Sequence, residues 1–137
     1  MFKAGTTTPK LGEIRYGLVE GSNNTHRYVG IRPYLIVSND KYNEFSGQAE
    51  VIPFTTKRMG SHNPVHIDYK AGEVDGLYKD STLVIEGRDT LRNDHLSDPV
   101  GVFTEDNWIP VVNAMVVQCP MLALADLRQT RHHDVVS

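Results

Sequence analysis

Several side chains in the first half of this 137-residue chain have the chemistry needed to bind a phosphate group. Arg32 carries a guanidinium, which is permanently charged and presents a planar fork of donors to phosphate oxygens. Thr55 is followed by Thr56, Lys57 and Arg58, so a hydroxyl donor precedes two cations. These residue types also have ordinary structural uses, because threonine favours strands and exposed charges keep a protein soluble. Their chemistry predicts an anion-binding surface but does not indicate the function of that surface.

The loop over residues 20–30 carries a second set of polar side chains. It contains two glycines and two asparagines, which are typical of turns. His26 can transfer protons near neutral pH, Arg27 can pair with phosphate, and Tyr28 can stack on a base. Together they predict a flap able to contact a nucleic acid. A single loop histidine is more often inert, so an ordinary surface loop is the alternative.

The remaining histidines do not predict a metal site. His62 and His66 have the i, i+4 spacing of a zinc-binding helix, but Pro64 between them prevents that helix. His132 and His133 lie in a polar segment at the end of the chain. We therefore expect no metal and no other cofactor.

Composition and length indicate one soluble domain over residues 1–137, which is 39% hydrophobic and 23% charged. Within it we expect a loose arm over residues 1–10 and a polar tail over residues 128–137.

The single cysteine, Cys119, excludes an internal disulfide framework and suits a reducing compartment. The first residues lack the apolar segment of a secretory signal, and polar residues and prolines interrupt the most apolar stretch, residues 109–127. The expected location is the cytoplasm, without a membrane contact.

Charge is distributed unevenly along the chain. Residues 1–67 hold eight Lys and Arg against five Asp and Glu, whereas residues 68–137 hold six against twelve, which gives the net charge of −3. An acidic chain is not a general nucleic-acid coat protein, because phosphate contacts need Lys and Arg. A local basic groove in the first half is compatible with this distribution.

The hydrophobic pattern predicts a mainly β fold. Residues 13–19 alternate between apolar and polar side chains, as a strand with one buried face does. The continuous apolar run at residues 34–38 predicts a strand covered on both faces. Further strands are expected over residues 49–54, 65–69 and 81–85, with turn residues between them.

Helical periodicity appears only near the end of the chain. Apolar residues recur at helical spacing over residues 108–119, with Asp106 or Asn107 as the expected cap. Pro110 then falls in the first turn, where proline is tolerated. A brief helix is also expected around residues 41–45. Short strands followed by one terminal helix predict a small curled β-barrel with the helix packed against it.

Four segments in a fixed order resemble the MazF/PemK family of growth-inhibiting toxins. The segments are Gly12-Glu13-Ile14, Gly30-Ile31-Arg32-Pro33-Tyr34-Leu35-Ile36-Val37-Ser38-Asn39, Val51-Ile52-Pro53-Phe54-Thr55-Thr56-Lys57 and Gly76-Leu77-Tyr78-Lys79-Asp80-Ser81, followed by Glu86 and Leu96. Each motif is weak alone, but their order and spacing together are specific. The resemblance covers about residues 12–118.

The resemblance implies a fold, an activity and partners. It implies a mainly β protein with a C-terminal helix, an SH3-like small β-barrel of the MazF/CcdB toxin type, assembled as a homodimer. Family members cut single-stranded RNA at short sequences without a metal until an antitoxin blocks the groove. The implied function is an endoribonuclease toxin that cleaves mRNA by 2′-hydroxyl attack to a 2′,3′-cyclic phosphate, with a cognate antitoxin as its partner.

The resemblance also implies roles for three catalytic residues. Arg32 matches the family arginine before proline and is expected to stabilise charge that develops on the phosphate. Thr55 matches the threonine after the third strand, and its hydroxyl is expected to contact a phosphate oxygen or position the 2′-hydroxyl. Glu86 matches an acidic position, where a carboxylate would orient Arg32 or accept the 2′-hydroxyl proton. A solvated glutamate at the end of a strand is the alternative for Glu86.

RNA contacts are expected from the 20–30 loop and from the residues after Thr55, namely His26, Arg27, Tyr28, Thr56, Lys57 and Arg58. Two neighbouring positions depart from the family pattern. Gly87 stands where the family commonly has glutamine, and Asp89 stands where it commonly has arginine. Position 87 therefore lacks an amide, and position 89 carries the opposite charge. One alternative to an active enzyme is a catalytically decayed relative that only binds RNA or an antitoxin.

A second alternative is a non-enzymatic gyrase poison on the same fold. The CcdB-type poisons resemble this fold, but their action depends on a terminal Trp-Gly-Ile. This chain ends in Val135-Val136-Ser137 instead, which counts against that function.

Overall fold

The computed structural model describes residues 2–21 and 28–123. The strands within those ranges are β1 (Glu13–Val19), β2 (Gly30–Ile36), β3 (Gln48–Thr55), β4 (His66–Tyr69), β5 (Ser81–Val84), β6 (Asp89–Arg92) and β7 (Leu96–Val102). The helices are α1 (Asp40–Ser46) and α2 (Glu105–Gln118). Short 3-10 turns lie at Ile85–Gly87, Asn93–His95 and Pro120–Ala123.

All five strands expected from the sequence are present, and α1 confirms the brief helix. Strands β6 and β7 had not been predicted. Only Leu91 of β6 is buried, and only Leu96 and Gly101 of β7. Strands that bury so few side chains lack the apolar alternation from which a strand is predicted.

Helix α2 begins earlier than the sequence indicated. Thr104 caps it, because its Oγ1 accepts a hydrogen bond from the Asn107 N–H at 3.3 Å. In return, the Asn107 Oδ1 accepts one from the Thr104 N–H at 2.9 Å. This reciprocal capping box sets the start of the helix at Glu105. The expected cap at Asp106 or Asn107 is therefore wrong, and Pro110 lies inside the helix beyond the first turn.

The strands form one strongly curved antiparallel sheet in the order β4-β5-β3-β2-β1-β7, with β6 also paired to β3. Strand β3 pairs with β2 along one edge, and with β6 and then β5 along the other. Within the described strands, no pairing joins β4 to β7, so hydrogen bonds do not close the sheet into a complete barrel. The mainly β class with a C-terminal helix is confirmed.

Both faces of the central strands are buried. On β2, Leu35 belongs to the larger hydrophobic cluster, which α2 covers with Val111 and Ala114. The neighbouring Tyr34 and Ile36 belong to a second cluster on the opposite face. Because successive strand residues point to opposite faces, a strand covered on both sides appears as a continuous apolar run. The prediction that the apolar run at residues 34–38 belongs to a strand covered on both faces is therefore confirmed.

The N-terminal arm is fixed to the sheet rather than loose. The Gly5 N–H donates to the Leu96 carbonyl at 2.8 Å, and the Thr6 N–H donates to Asp98 Oδ1 at 2.7 Å. The fully buried guanidinium of Arg15 donates to the carbonyls of Thr7 and Thr8 at 2.9 and 3.2 Å. The prediction of a loose arm was wrong because backbone hydrogen bonds to a distant strand leave no hydrophobic pattern.

The predicted tail over residues 128–137 lies outside the described residues. Among the helices that are described, none is long and apolar enough to cross a membrane.

Candidate active site

A groove of about 410 Å³ opens beside the ends of β2, β3 and β5. Strand residues form part of its lining, and the segments that follow β3 and precede β5 form the rest. The residues that line it are Tyr16, Ile31, Arg32, Pro33, Phe54, Thr55, Thr56, Lys57, Gly76, Leu77, Tyr78, Lys79 and Ser81. Four of the residues predicted from the sequence therefore meet in one place.

The central pair of that group is Arg32 and Thr55, which are 23 positions apart in the chain. Strands β2 and β3 run antiparallel, with Tyr34 opposite Pro53. Arg32 and Thr55 lie two residues beyond this paired stretch on the two neighbouring strands, and both line the groove. A guanidinium and a hydroxyl carried at such positions can act on the same phosphate group.

Arg32 is half-buried and is held by two groups that precede β2. Its Nη2 donates to the Val29 carbonyl at 3.2 Å, and its guanidinium carbon lies 4.8 Å from the centroid of the Tyr28 ring. The Nε atom is buried and has no hydrogen-bond partner among the described residues. The cation is therefore oriented by a ring and a carbonyl.

Gly87 makes room for the ring that holds Arg32. A Cβ atom at this position would lie 3.0 Å from Cε2 of Tyr28 and 2.9 Å from Cγ of Pro53. Any larger residue would displace one of these rings, and Pro53 is fixed within β3. Gly87 therefore fits closely beside both Tyr28 and Pro53.

Thr55 is buried at the end of β3, with 7% of its surface exposed. Its Oγ1 accepts a hydrogen bond from the Lys57 N–H at 3.3 Å. Because a hydroxyl both accepts and donates, its hydrogen is available to a ligand oxygen. Thr56 and Lys57 are exposed and line the groove beside it, whereas Arg58 is exposed outside that lining.

The structure places Glu86 away from this groove. Its Oε1 accepts a hydrogen bond from His66 Nε2 at 2.5 Å, and His66 Nδ1 lies 2.8 Å from the Ser61 Oγ. The expected contact between Glu86 and Arg32 is replaced by this chain of polar groups. The sequence analysis had considered His66 only as a zinc ligand, which it rejected, and no local motif indicates its contact with Glu86.

Two of the expected RNA contacts, His26 and Arg27, lie outside the described residues. Tyr28 is described and supports Arg32 with its ring, whereas stacking on a base had been expected.

The lining also includes residues that the sequence analysis had not assigned to the site. Tyr78 is 85% exposed and is followed by Lys79, which adds a third cation to the groove beside Arg32 and Lys57. Both belong to the segment Gly76 to Ser81, one of the four family motifs, so that motif was the available signal. Among the described residues, no cluster of three His, Cys, Asp or Glu side chains could hold a metal ion.

Comparison with known sequences identifies relatives of the chain. A family model described as "PemK-like, MazF-like toxin of type II toxin-antitoxin system" matches residues 10–118. Endoribonuclease EndoA of Bacillus subtilis (strain 168) is 29% identical over 97 residues, which are 71% of this chain and 80% of that protein.

Solved structures show the same fold. MazF from Deinococcus radiodurans superposes with a TM-score of 0.68 at 19% identity, over 84% of this chain and 99% of that one. A mycobacterial endoribonuclease in complex with its cognate antitoxin gives a TM-score of 0.59 at 21% identity, over 82% and 93% of the two chains. The family match spans most of the chain and includes the groove residues, so this protein belongs to the PemK-like, MazF-like toxins of type II toxin–antitoxin systems.

Proposed function

We propose that this protein is an endoribonuclease toxin that cleaves single-stranded RNA in the groove lined by Arg32 and Thr55. The observation that carries the proposal is the meeting of these two residues in one groove with two lysines, Lys57 and Lys79. A relative with 29% identity, EndoA, is named as an endoribonuclease. The family match adds a type II toxin–antitoxin context.

The proposed reaction is an internal phosphoryl transfer. The ribose 2′-oxygen forms a bond to the adjacent phosphorus and loses its proton, while the bond from phosphorus to the 5′-oxygen breaks. The leaving 5′-oxygen takes up a proton, and the other product ends in a 2′,3′-cyclic phosphate. Arg32 stabilises the negative charge that develops on the phosphate, and Thr55 donates to one of its oxygens. The reaction requires a 2′-hydroxyl, so DNA is not a substrate.

The RNA strand is held beside the reacting phosphate by charge and stacking. Lys57 and Lys79 offset the overall charge of −3 locally, because screening limits the reach of distant acidic groups to about 8–10 Å. The exposed Tyr78 ring is available to stack on a base. We assign Tyr28 to the positioning of Arg32, and Glu86 to the support of the loop after β3 through His66.

The proposal includes two protein partners, a cognate antitoxin and a second copy of the chain. Helix α2 exposes Ile109, Val112 and Val117 by more than half of their surface. Such an apolar helix face suits contact with another protein. A homodimer would also double the number of lysines available to the RNA.

The test is to map cleavage ends on a long defined RNA in the presence of EDTA. We expect cuts at a short preferred sequence and 2′,3′-cyclic phosphate ends, without a divalent metal. Arg32→Ala and Thr55→Val should each lower the rate about 100-fold or more, as the loss of one transition-state donor does. Arg92→Ala removes an exposed arginine outside the groove and serves as the matched control.

Thermal unfolding of each variant separates a catalytic effect from loss of the fold. Full activity of folded Arg32→Ala protein would overturn the catalytic assignment. RNA binding by the unsubstituted protein without any cleavage would instead favour the decayed relative.

A further inference from the structure

A second groove of about 520 Å³ adjoins the candidate active site. The N-terminal arm forms one of its walls with Phe2, Lys3 and Ala4, and β7 contributes residues 97–100. We call it the arm groove. Its remaining walls are Tyr16 and Ile31, which also line the candidate active site. The two grooves therefore adjoin at these two side chains.

A bulge between β1 and β7 lies at this junction. Arg15 is paired with Pro99 but Gly17 with Leu96, so β7 contains one extra residue opposite Tyr16. The Tyr16 N–H donates to the Ser97 Oγ at 2.9 Å. A bulge redirects side chains and interrupts strand pairing, and here it accompanies a surface on which Tyr16 is 38% exposed.

The arm is seated so closely that only glycine fits at its contact with β7. A Cβ atom on Gly5 would lie 2.7 Å from the Asp98 backbone nitrogen and 2.8 Å from the Ser97 carbonyl oxygen. Hydrogen bonds from Gly5 and Thr6 hold the arm at this point. The family model begins at residue 10, so residues 2–9 of the arm lie outside the matched region.

The side chains of the arm groove suit a flexible nucleic-acid strand. Lys3 is an exposed cation, and Phe2 and Tyr16 provide two aromatic rings. Rings beside a cation bind single-stranded nucleic acid by stacking and phosphate pairing. The acidic residue in the groove, Asp98, accepts hydrogen bonds from Thr6 and Thr7, and these bonds, with the nearby Arg15 charge, lower the pKa of its carboxyl.

We propose that the arm groove binds nucleotides flanking the cut, so that the arm extends the RNA-binding surface beyond the active site. This inference rests on the proposed function. The occupant is the continuing RNA strand, because the two grooves share Tyr16 and Ile31, and because Lys3 supplies the charge that a phosphate requires.

The test uses the mapped RNA with hydrogen in place of the 2′-hydroxyl at the cut. A short RNA spanning only the preferred sequence is compared with RNAs extended by four nucleotides on one side or the other. Extension on one side should tighten binding to the unsubstituted protein about tenfold, the contribution expected from one stacked base with a phosphate contact. The Phe2→Ala/Lys3→Gln double variant should lose that gain and bind the short RNA normally.

Two further variants sharpen the result. Gly5→Ala should reduce the gain from extension because its Cβ pushes the arm off β7. Lys41→Gln removes a cation from α1 that lines neither groove, and it should leave the gain unchanged.

The outcomes separate this inference from the proposed function. Cleavage of an unmodified short RNA, which keeps its 2′-hydroxyl at the cut, by all arm variants supports the active-site assignment whatever the arm does. An equal gain from extension in the double variant would overturn the arm groove as an RNA site. A change in oligomeric state of the double variant, with unchanged RNA binding, would overturn it in favour of a protein contact.

Discussion

The chemistry of the candidate site depends on how single residues hold Arg32. A free arginine side chain has many rotamers, and fixing it on a phosphate during the reaction costs conformational entropy. The Tyr28 ring and the Val29 carbonyl fix much of that freedom before RNA binds. Pre-organisation of this kind favours the transition state because little rearrangement remains.

Substitution of Gly87 should therefore impair cleavage through Tyr28. We expect Gly87→Ala to lower kcat about 10-fold, because its Cβ would overlap the Tyr28 ring and displace the support of Arg32. Tyr28→Phe keeps the ring and should retain activity, whereas Tyr28→Leu should resemble Gly87→Ala. The measurement is the single-turnover rate at saturating RNA. Equal rates for the Phe and Leu variants would show that the ring does not position Arg32.

At the scale of elements, the loop between β3 and β4 carries the cation Lys57 into the groove. Two contacts fasten this loop to the strands behind it. The Gly60 N–H donates to Asp68 Oδ2 at 2.9 Å, and Ser61 contacts His66, which in turn contacts Glu86. Because an ionised carboxylate only accepts hydrogen bonds, His66 Nε2 is the donor to Glu86, and the other ring nitrogen, Nδ1, contacts the Ser61 hydroxyl at 2.8 Å.

Replacement of Glu86 should then affect RNA binding more than the chemical step. We expect Glu86→Ala to raise KM a few-fold with kcat nearly unchanged, because a half-exposed ion pair is worth only about 0.2–1 kcal/mol. Glu86→Gln should restore most of the affinity, since an amide oxygen still accepts from His66. Steady-state kinetics of the two variants provide the check. If both substitutions reduced kcat by orders of magnitude, Glu86 would be the base and not a support.

Strands and helices differ in how much of them could be predicted. β1 was predicted with its observed bounds from its period-two alternation, although its burial does not follow the alternation, because Arg15 is buried and Tyr16 is exposed. β7 was missed because its pairing with β1 is irregular and because it buries only two residues, Leu96 and Gly101. The start of α2 was misplaced because Thr104 and Asn107 cap the helix together. Asp106 is also a common capping residue, and its presence favoured a later start.

At the scale of the whole molecule, an aromatic cluster joins α2 to the sheet. Tyr69 packs edge-on against Phe54 and Phe103, with ring centroids 6.3 and 5.8 Å apart, and Phe103 packs on Trp108. The Tyr69 hydroxyl donates to the Asn107 carbonyl at 2.9 Å. Burial, with a smaller effect of Glu73, raises the pKa of Tyr69 well above its usual value.

This raised pKa predicts a loss of stability in alkali. The unfolded chain releases the Tyr69 proton above about pH 10, whereas the folded chain keeps it, so the contribution is complete below pH 10 and declines above it. Tyr69→Phe should remove this part of the pH dependence and lower neutral stability by about 1 kcal/mol through the lost hydrogen bond. Urea unfolding between pH 7 and 11 measures both effects. An identical alkaline slope in the two proteins would contradict the assignment.

The amino-acid sequence by itself determined the family-level motifs, five of the seven described strands and the candidates Arg32, Thr55 and Lys57. These features are encoded locally, by hydrophobic periodicity and by short motifs, so they can be predicted without knowledge of distant contacts. Only the tertiary structure decided that Tyr28 supports Arg32, that Glu86 pairs with His66, and that the arm forms a groove with β7. The last two contacts join residues far apart in the chain, and the geometry of all three depends on strand register, a bulge and the close approach that glycine permits.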